Sequence, residues 1–187
     1  MTTELVIIGA GSHASVIVDM LEQQDMVALV GFLDDYKQDD HDGYGIMGTT
    51  ECLPELIHLH VSHFIVAVGH NTVRRHLFEQ AVKAGLIPYT LIHPSAQISP
   101  KARIGEGTVI MANVAVNAYA FIGDNVILNT GCTVDHHCVV GDHAHICPGC
   151  HLAGNVWVKD GAVVGIGSAV KPNGIVDAKG RIYDPTR

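Results

Sequence analysis

From Ile98 onward every sixth residue of this 187-residue chain is Ile, Leu or Val: Ile98, Ile104, Ile110, Val116, Ile122, Leu128, Val134, Val140, Ile146, Leu152, Val158, Val164, Val170, Val176 and Ile182. Four places after each stands a small or compact residue, as at Ala102, Thr108, Ala120, Cys132, Ala144, Ser168, Gly174 and Gly180. A period of six fits neither the 3.6 of a helix nor the 2 of a plain strand. It fits a stacked repeat in which each unit buries its apolar side on its neighbours. Three hexads closing one triangular coil of eighteen residues predict a parallel β-helix. Roughly five coils spaced by about 4.8 Å would make a prism about 24 Å tall.

Because two places per hexad point inward, the others face outward or form corners. The outward residue just before each aliphatic is often large and partly apolar: Phe121, Ile127, Val139, His145, His151, Trp157, Val163. Such a face is poorly suited to water, and a copy of itself is the simplest cover. The expectation is a homotrimer of prisms about a threefold axis.

The first 92 residues follow other periods. Leu5–Gly9 reads as a short strand, Gly9-Ala10-Gly11-Ser12 as a tight turn, and residues 13–24 as a helix on Val16, Ile17, Met20 and Leu21. A second strand, Val27–Leu33, ends at Asp34-Asp35. After an Asp- and Gly-rich loop come a short strand at Ile46-Met47, a helix from Thr50, and a strand Phe64–Val68. Asn71 is placed to cap a helix Thr72–Gly85, and Ile87–Ile92 reads as a further strand. Alternating strands and helices imply a parallel sheet with helical crossovers. The region is too short for two mononucleotide-binding halves, so the fold expected is an α/β half-Rossmann-like domain over 1–93 followed by the β-helix over 94–187, with His93-Pro94-Ser95 as the hinge.

Composition narrows the function classes. Nearly half the residues are hydrophobic and 16% are charged, enough for a substantial core. A net charge of −8 argues against a nucleic-acid partner, because phosphate backbones need clustered Lys and Arg. The start Met1-Thr2-Thr3-Glu4 lacks the basic stretch of a signal peptide, and no apolar run approaches the roughly 18 residues of a membrane span. A cytoplasmic protein with no membrane partner is expected. Among the five cysteines, Cys132, Cys138 and Cys150 occupy inward hexad positions, where a thiol acts as a compact hydrophobe. Cys147-Pro148-Gly149-Cys150 offers one zinc-like pair, but hexad register sends Cys150 inward and His151 outward, so no metal is expected.

Candidate chemistry gathers where the repeat departs from its own rule. Corners usually take Gly, Asn or Asp, yet one corner is Asp135-His136-His137. Histidine exchanges a proton near neutral pH, which a general base requires, and Asp135 could orient or charge-stabilise an imidazole. Solvated corner residues are the competing reading. His136 and His145 are nine residues apart, half a coil, so they serve one reaction only if they meet across a subunit interface. No Gly-x-Ser-x-Gly elbow is present. With the thiols inward, direct attack in a ternary complex is favoured over an acyl-enzyme. In the first domain, Gly9, Gly11 and Ala14 form a Gly-x-Gly-x-x-Ala turn between strand and helix. Its amides and the helix N-terminus would meet a diphosphate, with Ser12 in the turn and His13 as an added donor. Asp34 and Asp35 would accept from a base or ribose. An NAD site is the alternative, although a dinucleotide would want the missing second half.

The hexads, Asn129-Thr130-Gly131, Asp135-His136-His137-Cys138, His145 and Leu152-Ala153-Gly154-Asn155 together resemble the sugar acetyltransferases of the left-handed β-helix superfamily. Gly9-Ala10-Gly11-Ser12-His13 and Phe32-Leu33-Asp34-Asp35 are similar to the branch of sialic-acid O-acetyltransferases and UDP-4-amino-sugar (bacillosamine) N-acetyltransferases. The likeness runs from about Leu5 to about Lys171. It implies an acetyl-CoA-dependent N-acetyltransferase acting on a nucleotide-linked 4-amino-sugar in surface-glycan synthesis. His136 would be the general base, His145 would contact the acetyl end of acetyl-CoA, and Asn129 would line the acceptor pocket. Backbone amides at Ala153-Gly154 and Gly165-Ile166-Gly167 would hold the pantetheine arm. The first domain would hold the nucleotide, with Gly69, Asn71 and Arg75 completing the cleft. In the relatives the residue after the catalytic His is acidic; here it is His137. Either Asp135 takes over the orienting role, or His136 is less well oriented. A sialic-acid O-acetyltransferase and a non-catalytic β-helix scaffold or nucleotide-sugar binder remain the alternatives. Charged outward residues Lys179 and Arg181 are expected to make the last coil a cap.

Overall fold

The computed structural model describes residues 2–59 and 61–183, which divide into two compact units at Tyr89/Thr90. In the first, β1 (Thr3–Ile8), β2 (Val27–Leu33), β3 (Ile46–Gly48), β4 (His63–Val66) and β5 (Ile87–Pro88) form one parallel sheet in the order β3-β2-β1-β4-β5. Three helices accompany it: α1 (Ser12–Leu21), α2 (Leu53–Leu56) and α3 (Asn71–Lys83). The β1 run Leu5–Ile8 is fully buried, as expected of a parallel strand buried on both sides. The helix expected from Thr50 is broken into a 3₁₀ turn at Thr50–Cys52, α2, and a second 3₁₀ turn at Ile57–Leu59, with Pro54 in the first turn of α2. Asn71 does not cap α3: His70 is the N-cap residue, without a side-chain cap. Asn71 is instead the first helical residue, and its side-chain oxygen accepts a hydrogen bond from Arg74 (2.8 Å).

The Ile87–Ile92 segment serves both units. Ile87–Pro88 pairs with β4, whereas Leu91–Ile92 pairs with Val109–Ile110 and is already the first rung of the repeat. Two-residue strands then recur every six residues and pair in parallel with those eighteen away, as in Thr133↔His151 and Val139↔Trp157. Three sheets result. One face carries Gln97, Ala115, Thr133, His151 and Ala169, the next Arg103, Phe121, Val139, Trp157 and Ile175, and the third Leu91, Val109, Ile127, His145 and Val163. The inward aliphatics from Ile110 to Val176 make one continuous core with Cys132, Cys138, Cys150, Ala144 and Ala162. Each such aliphatic stabilises the column by about 1.5–3 kcal/mol relative to exposure.

Corner chemistry is as periodic as the core. A left-handed backbone recurs every sixth residue from Gly107 to Asn173, filled by Gly or Asn except at Tyr119, His137 and His143. Gly and Asn tolerate that conformation; bulky side chains do so at a cost. At another corner column Asp124 accepts from the Glu106 amide (2.8 Å) and Asp142 from the Asp124 amide (2.9 Å). Gly123 is required there because a β-carbon would fall on the Asp142 carboxylate.

Two expectations fail at the margins. Ile182 is not an inward residue: the left-handed position slips from 179 to Gly180, and Ile182–Tyr183 turns back antiparallel on Ile175–Val176, with Ile182 exposed. One extra corner residue is enough to move a side chain off its face. Ile127 is likewise buried rather than exposed on the outer face.

Candidate active site

The corner Asp135–Cys138 joins the strands Thr133–Val134 and Val139–Val140. Asp135 does not touch the imidazole beside it. Its Oδ1 accepts from the His136 amide (2.7 Å) and from the Asn117 side chain one coil earlier (2.9 Å). Those two bonds, the Asn117 one foremost, hold the Asp135 carboxyl below its usual range. The ring of exposed His136 meets a different partner: its Nδ1 lies 3.1 Å from Nδ1 of His137. His137 adopts the left-handed corner conformation, φ 58°, and stacks on Tyr119 with centroids 5.0 Å apart and planes 27° from parallel. On the coil above, Gly154 leaves room for the His136 ring, since a β-carbon there would stand 2.5 Å from Cε1 and 2.7 Å from Nε2. With Nδ1 occupied, Nε2 is the nitrogen left to accept a proton from a substrate.

Beside this corner, a cleft of about 650 Å³ runs along the first face, lined by Asn117, Thr133, Asp135, His151, Ala153 and Lys171. On the third face His145 Nε2 accepts from the Asn129 side-chain amide at 3.1 Å. These two residues are brought together, and they lie away from the His136 corner, on another side of the triangular column. The amides expected to hold pantetheine are partly committed already. Ala153 N–H donates to Val170 O (3.0 Å) and Gly167 N–H to Pro148 O (3.0 Å), both rungs of the inter-coil ladder. Gly154 is buried against the His136 ring, whereas Ile166 is the most exposed aliphatic of the column at 79%.

The three inward cysteines are unsuited to carrying an acyl group. Cys132, Cys138 and Cys150 are buried, and burial pushes the Cys132 thiol up to about 12. Thiolate, not thiol, is the nucleophile. The Sγ atoms of Cys138 and Cys150 donate to the Ala153 and Gly165 carbonyls. Among the described residues no group of three or more His, Cys, Asp and Glu is disposed to hold a metal ion.

In the first unit, Gly9 has φ 98° and lies so close to the segment following β4 that a β-carbon would meet Val68 at 2.8 Å. Gly11 is the N-cap residue of α1 and has open space before it. Asp34 secures this loop by accepting from Ala10 N–H (2.7 Å), Tyr36 N–H (2.9 Å) and Lys37 N–H (2.8 Å). Burial works against its ionisation, but these bonds and the Lys37 charge outweigh it and keep the carboxyl below its usual range. Asp35 receives Thr50 through both its amide (2.7 Å) and hydroxyl (3.1 Å). Both carboxylates are thus partly used by the fold. They still line a cleft of about 350 Å³ with Gly9, Tyr36, Thr50 and His76, at the carboxyl ends of β1 and β2. Open α/β sheets bind ligands at that end of the strands.

Ser12 is exposed at the start of α1. His13, one residue on, turns its Nε2 into the protein without a hydrogen-bond partner, and burial with the neighbouring Arg74 charge lowers it to about 4. As a neutral group it is a weaker anion ligand than expected. Arg75 is exposed and paired with Glu79 at 2.7 Å. Its neighbour Arg74 is the buried one, donating to the Val68 and Gly69 carbonyls and to Asn71. Arg74, Asn117 and Tyr119 were missed in the sequence. The eighteen-residue coil would have found the last two, which lie one coil before Asp135 and His137.

Residues 4–81 match the PglD N-terminal domain family, and residues 86–180 match the GMPPB C-terminal domain family. Among solved structures, the acetyltransferase domain of PglB from Neisseria gonorrhoeae in complex with acetyl coenzyme A is 36% identical. It aligns over 95% of this chain and 86% of its own with a TM-score of 0.88. A histidine-to-asparagine variant of perosamine N-acetyltransferase from Caulobacter crescentus, in complex with CoA and GDP-perosamine, is 32% identical over 97% of each chain, TM-score 0.84. The chain belongs to the hexapeptide-repeat sugar acetyltransferases of the left-handed β-helix fold. The UDP-N-acetylbacillosamine N-acetyltransferase of Bacillus subtilis (strain 168) is 39% identical over 108 residues, which is 57% of this chain and 50% of that protein. The match thus spans about half the length of that curated relative.

Proposed function

We propose that the chain is an acetyl-CoA-dependent N-acetyltransferase acting on the 4-amino group of a nucleotide-linked amino-deoxysugar. UDP is the nucleotide taken first, as the Bacillus subtilis relative's name has it, and GDP is its competitor, as in the Caulobacter complex. The observation that carries the reading is His136: an exposed imidazole whose Nδ1 is engaged and whose Nε2 stays open. Nε2 takes a proton from the sugar ammonium nitrogen's neutral form as that nitrogen bonds to the thioester carbonyl carbon. The tetrahedral centre then collapses, the C–S bond breaks, and the departing thiolate recovers a proton, leaving amide and CoA. His145 with Asn129 serves the acetyl end and the acceptor pocket.

Residues 1–93 are the nucleotide-binding part, by way of Gly9, Gly11, Ser12, Asp34, Asp35 and Gly69. Residues 94–187 are the transferase part. Three copies assemble through the outer column Phe121, Val139 and Trp157, exposed by 46%, 39% and 47%. That contact lets His136 of one copy approach His145 of the next. Among the described residues no helix is long and apolar enough to cross a membrane.

The test is a panel of UDP-, GDP- and dTDP-linked 4-amino-sugars with free sialic acid, reading CoA thiol release. Acetylation of an amino-sugar that drops by about 10²-fold or more in His136→Ala supports the reading. Turnover of sialic acid alone moves it to O-acetylation; no thiol release on any substrate leaves a non-catalytic binder.

A further inference from the structure

His137 occupies a corner position that the column fills with Gly or Asn everywhere but here, at Tyr119 and at His143. Two side chains fix its ring. Tyr119 stacks beneath it, and Lys101 in turn sits 3.3 Å from the Tyr119 hydroxyl, with its ammonium 5.3 Å from that ring's centroid. The ring so held presents Nδ1 to Nδ1 of His136 at 3.1 Å. Two imidazole nitrogens at that distance share one hydrogen, so one must donate and the other accept. His136 can take a substrate proton through Nε2 only if its own hydrogen is on Nδ1. His137 must then be the acceptor, with its hydrogen on Nε2. Asp135 cannot fill this place, because its carboxylate is turned to the His136 amide and Asn117.

We propose that His137 is the positioning residue of the catalytic base, a neutral imidazole acceptor that fixes the His136 tautomer and ring angle where a carboxylate would otherwise stand. This rests on reading His136 as the base. The consequence is chemical: the pair supplies geometry and tautomer but no negative charge opposite the imidazolium formed during turnover. The column Lys101–Tyr119–His137 is the scaffold of that arrangement.

Two substitutions separate the acceptor from the corner it sits on. Asn carries Oδ1 the same number of bonds from the backbone as Nδ1 of His, and Asn already fills equivalent corners at 113, 125, 155 and 173 with φ between 53° and 61°. His137→Asn therefore keeps the fold and an acceptor. His137→Gly keeps the fold and removes it. The expected result is a kcat reduced about tenfold or more in His137→Gly at unchanged KM for both substrates, and largely restored in His137→Asn. A second readout needs no substrate. In ¹⁵N spectra of the resting enzyme, His136 Nδ1 should carry the hydrogen in wild type and His137→Asn, and exchange tautomers in His137→Gly. Wild-type kcat and an unchanged His136 tautomer in His137→Gly overturn the proposal, as does a His137→Asn enzyme as slow as the Gly variant. If instead His136→Ala is fully active, it is the base assignment that has failed, and the tautomer spectra still report on the pair.

Discussion

Gly154 and His136, eighteen residues apart, are stacked on successive coils so closely that position 154 has no room for a β-carbon: it would stand 2.5 Å from the imidazole Cε1. The backbone at Gly154 is not left-handed; the left-handed residue of that corner is Asn155. Alanine is thus permitted by the chain and forbidden only by the ring. Gly154→Ala should leave the melting temperature within a few degrees and displace His136. Misplacement of a reacting group by about 1 Å costs on the order of 10²-fold in rate. Parallel thermal melts and CoA-release kinetics check it, and wild-type kcat would contradict the placement of His136.

Tyr119 sets stability against function. A bulky residue in the left-handed region costs about 1–3 kcal/mol, and its φ is 64°. The ring stack on His137 returns about 0.5–1.5 kcal/mol. Tyr119→Asn should therefore melt at the same or a higher temperature than wild type while losing several-fold in kcat. A less stable variant of full activity would show that the tyrosine is only packing.

The buried histidine of α1 gives a pH signature. The folded His13 is depressed from 6.5 to about 4, so between those values the unfolded chain holds a proton that the folded chain lacks. Stability must fall as pH drops from about 6.5 towards 4 and then level off, by at most about 3.5 kcal/mol at about 1.4 kcal/mol per unit. His13→Asn should flatten denaturation midpoints across that window. Asp34 works in a separate one: a carboxyl depressed in the fold adds stability above its unfolded value of 3.8, lost as pH falls below it.

Trp157 tests the assembly. Together with Phe121 and Val139 it forms an exposed apolar column on one face, partly covered by the Lys159 ammonium. Trp157→Glu puts a charge into the proposed interface and should convert a trimer to monomers in sedimentation velocity. A wild-type chain that already sediments as a monomer at micromolar concentration would refute the trimer.

Much of this molecule could be read from spacing alone. The column from Ile98 to Val176 was legible because one apolar residue every six has a single physical solution, and the inward cysteines followed from the same register. The end was not, because the slip at Gly180 is one residue long and the aliphatic at 182 still matches the count. The corner Asp135-His136-His137 was visible as an exception to the Gly/Asn rule, but which neighbour orients the base depends on side-chain direction, and the carboxylate turned away. Arg74 was not singled out because adjacent helical positions differ by a 100° rotation that a loosely periodic helix does not reveal. Asp34 and Asp35 were visible as acceptors, and what they accept from in the fold is the protein's own Ala10, Tyr36, Lys37 and Thr50.

The turn held by Asp177 governs how the column stops. Its carboxylate gathers the Lys179 and Arg181 amides, the Arg181 guanidinium and the Tyr183 hydroxyl, which folds Ile182–Tyr183 back along the last strand of the second face. A bare rung there would offer unpaired amides and carbonyls to any extended chain that met it. Reversing direction occupies that rim with the protein's own backbone, so this face is blunted against end-to-end growth into fibres.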